Sequence, residues 1–120
     1  MTGKTMFIGV IALAIAGYLG WSYYQDASRL DARHLEIANK RAGRSAQCEL
    51  IEREGTVWGI CRTGGNPNAW QQRGERWAAA NGPAQQIADR LATMTDDERG
   101  PAADVYIDRE NPPQLPAGLL

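Results

Sequence analysis

From Thr5 through Gln25 the chain carries no charged side chain. The run from Met6 to Tyr24, wound as a helix at 1.5 Å per residue, reaches about 30 Å, the thickness of a bilayer hydrocarbon core. Tyr18, Trp21, Tyr23 and Tyr24 crowd its far end, and amphipathic rings settle at the headgroup level. The pattern predicts a transmembrane anchor over 1–25. A cleavable signal peptide is the rival reading, with Lys4 as the basic region and Ala14 and Ala16 framing a small-residue cleavage site. The aromatic belt and the uninterrupted helical continuation favour retention. Ala12, Ala16 and Gly20 recur every fourth residue, with Gly9 near the same face, so a second membrane helix can approach closely there.

Beyond Asp26 the polarity changes but helical character persists. Residues 26–45 predict a juxtamembrane stalk helix, since Asp26 to Ala42 holds neither Gly nor Pro and Gly43 supplies a stop. Leu30, His34, Ile37 and Ala38 fall at spacings of three, four and seven, a thin stripe that suits packing on the domain or on a partner helix.

At Gln47 the period changes to two. Two strand-like runs flank Glu54-Gly55, a pair suited to a two-residue hairpin loop. Closing that loop places Arg53 opposite Thr56, Ile51 opposite Trp58 and Cys48 opposite Cys61. The cysteines then occupy a non-hydrogen-bonded pair with Cα atoms about 4.5 Å apart, a separation that a disulfide accepts. A loop of this size stabilises by about 3 kcal/mol in the chain-entropy model. Neither cysteine has C-x-x-C spacing or a neighbouring His or Lys to activate it, so the pair reads as a staple. Ile51, Trp58 and Ile60 share one hairpin face and predict a cross-strand cluster.

The remainder of the domain, which spans 46–110, reads as mainly helical. Asn66-Pro67 suggests a capped start for a helix toward Ala80, on which Trp70 and Trp77, seven apart, share a face. Those rings are expected in the core; their alternative use is as an exposed pair for partner binding. Gly82-Pro83 opens another helix to about Met94, with Ala84, Ile87, Ala88 and Leu91 on one side. Thr95 to Pro101 reads as a capped turn, and Asp104 to Asp108 as a short strand beside the hairpin. Residues 111–120, rich in proline, read as an extended tail or docking strap. The expected fold class is therefore α+β: a transmembrane helix running into a stalk, then a small domain of a disulfide-linked hairpin plus two helices.

Composition narrows the function more than it names it. Thirteen Lys and Arg against fourteen Asp and Glu, interleaved along the chain, disfavour nucleic acid as a partner. His34 is the sole histidine, and no second ligand stands at metal spacing. No nucleophile motif or phosphate loop appears, and Glu49, Glu52 and Glu54 alternate as a solvated hairpin face does. No cofactor, small-molecule substrate or metal is expected. A bare count of basic residues after the anchor favours the opposite topology. The cysteine pair nevertheless places the C-terminal domain outside the cytoplasm, periplasmic if the cell is bacterial. The expected role is a non-enzymatic single-pass accessory subunit of an envelope assembly, in contact with the bilayer and with a membrane or envelope protein. A secreted or anchored binding module, such as an inhibitor, immunity or exclusion factor, is the alternative.

Overall fold

A computed structural model describes residues 30–120. The expected anchor, with Gly9, Ala12, Ala16 and Gly20, lies outside the described residues. Among the described residues no helix is long and apolar enough to cross a membrane.

The chain from Asp31 to Leu120 forms one compact unit, built on a five-stranded sheet in the order β1-β2-β3-β4-β5. Helix α1 covers residues 30–41. Strands β1 (Gln47–Arg53) and β2 (Thr56–Arg62) form the first hairpin, and β3 (Asn68–Arg73) and β4 (Arg76–Ala79) the second. Helices α2 (Gly82–Ala92) and α3 (Asp96–Arg99) lead to β5 (Val105–Tyr106). Successive strands are antiparallel except the last pair, in which β5 runs parallel to β4.

The first hairpin has the register its turn dictates. Glu54 and Gly55 both take positive φ, 54° and 79°, the combination a type I′ turn requires. Every pair from Arg53↔Thr56 to Gln47↔Arg62 follows from it. Cys48 and Cys61 are opposed with Cα atoms 4.0 Å apart and are joined as a disulfide.

The stretch 67–80, expected as a helix, is the second hairpin. Gly74, with φ 64°, opens a two-residue turn that pairs Arg73 with Arg76. Trp70 lies opposite Ala79 and Gln72 opposite Trp77, so the tryptophans share a face diagonally across two strands. A spacing of seven satisfies both a helix face and this hairpin. Partner strands decided between them, as tertiary context overrides the helix propensity of the alanine run. Asn81 caps α2, accepting from the Ala84 N–H at 3.2 Å and the Ala69 N–H at 3.1 Å.

Alternation gives the sheet two unlike faces. On one, Trp70, Trp77, Ala79 and Cys61 are covered by Leu35 and Ala38 of α1, by Ala42 just beyond it, and by Ala84, Ile87, Ala88 and Leu91 of α2. The buried face of α1 is thus Leu35, Ala38 and Asn39, continued by Ala42 in the turn after it, whereas Leu30 of the expected stripe is exposed. Gly59 on β2 permits the approach, because a Cβ there would sit 2.5 Å from Leu35 Cδ1. On the other face Trp58, Ile60 and Ala69 pack with Ile51, Ala80, Leu115 and Leu119. The tail, expected as extended, lies across this second cluster with Pro113 and Leu119 buried.

Two further expectations gave way in part. The strand near Asp104 exists, but it adds beside β4 at the edge away from the first hairpin. The capped turn after Met94 is a short helix closed by a capping box between Thr95 and Glu98, which satisfies orphan N–H groups at its start.

Candidate functional site

The disulfide sits beside a buried amide network. Asn39 of α1 and Asn68 of β3 are both fully buried. Asn68 Nδ2 donates to Asn39 Oδ1 at 2.7 Å, and Asn39 Nδ2 donates to Asn68 Oδ1 at 3.3 Å and to the Leu35 carbonyl at 2.9 Å. Trp70 Nε1 donates to Asn68 Oδ1 at 2.7 Å. Helix, central strand and core tryptophan are thereby tied by bonds that each compensate the burial of a polar group. Cys48 Sγ lies 4.0 Å from the Asn39 amide, and Cys61 is fully buried. Held this way, the disulfide is a structural staple whose inner sulfur has no access to an exchanging thiol.

A concavity of about 700 Å³ lies between the C-terminal half of α2, α3 and β5. Its polar rim sets Arg76, Arg99 and Arg109 among Asp89, Asp96 and Asp104. Two of the arginines are already matched: Arg76 Nε lies 3.2 Å from Asp104, and Arg99 pairs with Asp96. The Arg76 guanidinium also rests 3.9 Å above the Tyr106 ring, a cation–π contact. The walls are Ala88, Leu91, Ala102, Val105 and Ile107. The cleft's lining holds no Ser, Cys, His or Lys, and its polar side chains are these arginines and aspartates together with Tyr106. Its charge is balanced and its walls are apolar, which suits contact with a peptide surface.

A second, shallower cleft of about 550 Å³ runs along α1 to the start of β1. Arg33, Lys40 and Arg44 line it with one carboxylate, Glu36, which accepts from the Cys48 N–H at 3.3 Å. Arg44 reaches Gln86 of α2 at 2.7 Å.

Trp70 and Trp77 are 0% and 3% exposed. Neither ring presents a surface, and their use as an exposed binding pair is replaced by a place in the core. Glu49, Glu52 and Glu54 are all exposed on the hairpin, with Glu49 3.2 Å from Arg62. His34 is half-buried on α1, and its carbonyl accepts from the Ala103 N–H at 3.0 Å. Among the described residues no three His, Cys, Asp or Glu side chains gather as a metal site.

Sequence reasoning missed the Asn39–Asn68 pair and the cleft beside β5. An asparagine at i+4 from a leucine that is itself buried was the available signal for the first. The second depends on β5 crossing to the far edge, which no local pattern encodes. Comparison with protein families, with curated proteins and with solved structures gives no match.

Proposed function

We propose that this chain is a non-enzymatic single-pass membrane subunit serving a cell-envelope assembly of the secretion, conjugation, phage-encoded or respiratory kind. It acts through contacts of its membrane helix and its extracytoplasmic domain. The observation that carries the reading is the conjunction of an uncharged, aromatic-ended stretch from Thr5 to Gln25 with a disulfide-closed domain after it. Such a stretch is long enough to span a bilayer, and a structural disulfide belongs to an oxidising compartment. The use of the large aromatic side chains in the domain's own core supports contact through backbone edges and charged clefts over an aromatic binding patch.

The test is purification of the full-length chain from detergent-solubilised native membranes, with protease added to intact cells or spheroplasts beforehand. The proposal expects the domain to be digested from outside and the undigested chain to elute with an envelope protein at a fixed ratio. A chain that elutes alone, or a domain protected by the membrane, refutes it.

A further inference from the structure

The edge formed by β1 has a pattern of its own. β1 is the outer strand of the sheet and seven residues long, against two for β5 at the opposite edge. Arg53 and Thr56 flank a two-residue loop and so form a hydrogen-bonded pair. Alternation makes Ile51↔Trp58 and Glu49↔Ile60 bonded pairs as well, and turns the backbone groups of Cys48, Leu50 and Glu52 outward. The Cys48 N–H agrees, since it reaches outward to the Glu36 carboxylate. Leu50 and Glu52 keep outward N–H and C=O groups with no partner among the described residues.

We propose that this edge is an interface between two copies of the chain, with β1 of each pairing antiparallel about a two-fold axis at Ile51. Several features select that register. It uses Leu50 and Glu52, the outward residues left open, and leaves Cys48 to Glu36. Leu50 of one copy stands opposite Glu52 of the other, and each such pair exchanges both backbone hydrogen bonds. On the opposite face Ile51 meets Ile51. Glu49 of each copy meets Arg53 of the other, so unlike charges face each other twice across the seam. Arg53 has no ion pair among the described residues, and Glu49 holds only the exposed contact with Arg62. A register centred on Leu50 would oppose Glu49 to Ile51 and require the Cys48 N–H that Glu36 occupies. An isologous contact of this kind closes at two copies and covers an edge that otherwise invites unspecific pairing.

The test uses the full-length protein in mild detergent. Ile51→Cys places one thiol from each copy at a non-hydrogen-bonded pair about 4.5 Å apart between Cα atoms, the same kind of position as Cys48–Cys61. Arg53→Cys puts the corresponding atoms about 14 Å apart, four residues along an extended strand and one strand across. Mild oxidation links most of the first variant through residue 51, as read by non-reducing peptide mapping, and only a trace of the second. In multi-angle light scattering the native chain has twice the single-chain mass. Arg53→Glu and Glu49→Arg each fall to the single-chain mass, and an equal mixture of the two recovers the doubled mass. A native chain of single mass, or a doubled mass that both charge reversals leave unchanged, overturns the assignment.

Discussion

Gly59 is the position where one added carbon tests the packing of the whole domain. An alanine Cβ there meets Leu35 Cδ1 at 2.5 Å and Trp77 Cζ3 at 3.2 Å. Leu35 is fully buried and Trp77 nearly so, so neither side chain swings clear without displacing α1 or β4. Overpacking of this kind costs about 1–3 kcal/mol, against a gain of about 0.5–1 kcal/mol from replacing glycine in a strand. A domain of this size shifts by about 4–8 °C per kcal/mol, so Gly59→Ala lowers Tm by several degrees in thermal melts followed by circular dichroism. Leu35→Ala removes the nearer obstacle. It costs about 2–5 kcal/mol alone, but in its background the further cost of Gly59→Ala falls below about 1 kcal/mol, a coupling that a double-mutant cycle reads directly. Gly82→Ala, with nothing within 4 Å of the new carbon, serves as the control. Equal melts for the native chain and Gly59→Ala, or strictly additive costs with Leu35→Ala, refute the seating of α1 on β2.

Three other perturbations follow from the same contacts. Replacing both Cys48 and Cys61 by alanine lowers stability by about 3 kcal/mol in the chain-entropy model, measured by urea unfolding; an unchanged midpoint contradicts the staple. Asn39→Ala leaves the Asn68 amide without its 2.7 Å acceptor, at about 1–3 kcal/mol for the orphaned group, and it speeds amide exchange in α1 and β3 together. Exchange confined to α1 would count against the network. Arg73 donates to Asp108 at 2.6 Å and to the Asn111 carbonyl at 2.8 Å, so Arg73→Ala frees the start of the tail and quickens limited proteolysis beyond Asn111, while the global melt changes little. Proteolysis at the native rate means that Pro113, Leu115 and Leu119 hold the tail unaided.

The first hairpin was legible because its information is local: Glu54-Gly55 sets a turn, the turn sets a register, and the register brings the cysteines together. Helix α2 was legible for a similar reason, with Pro83 at its start and apolar residues at helical spacing. The second hairpin was not, because Trp70 and Trp77 satisfy two periods at once and the choice rests on pairing with β2 and with β5, the latter returning only after α2 and α3. The α1 face was misread because the residue that fixes it is Asn39, a polar side chain buried only because Asn68 meets it. The clefts were illegible for the same physical reason, since their walls come from segments that chain topology alone brings together. The tail's role lay hidden in alternation: Trp58 and Ile60 face away from both long helices, and that face had to be covered by something.

The proposed subunit is a disulfide-closed domain carried outside the cytoplasm on a retained N-terminal anchor. Intact mass spectrometry of the chain from native membranes, alkylated before and after reduction, tests it most directly. The expected result is the full-length mass, with both cysteines alkylated only after reduction. A mass lacking the N-terminal segment contradicts the retained anchor, and a full-length chain whose cysteines alkylate without reduction contradicts the extracytoplasmic placement.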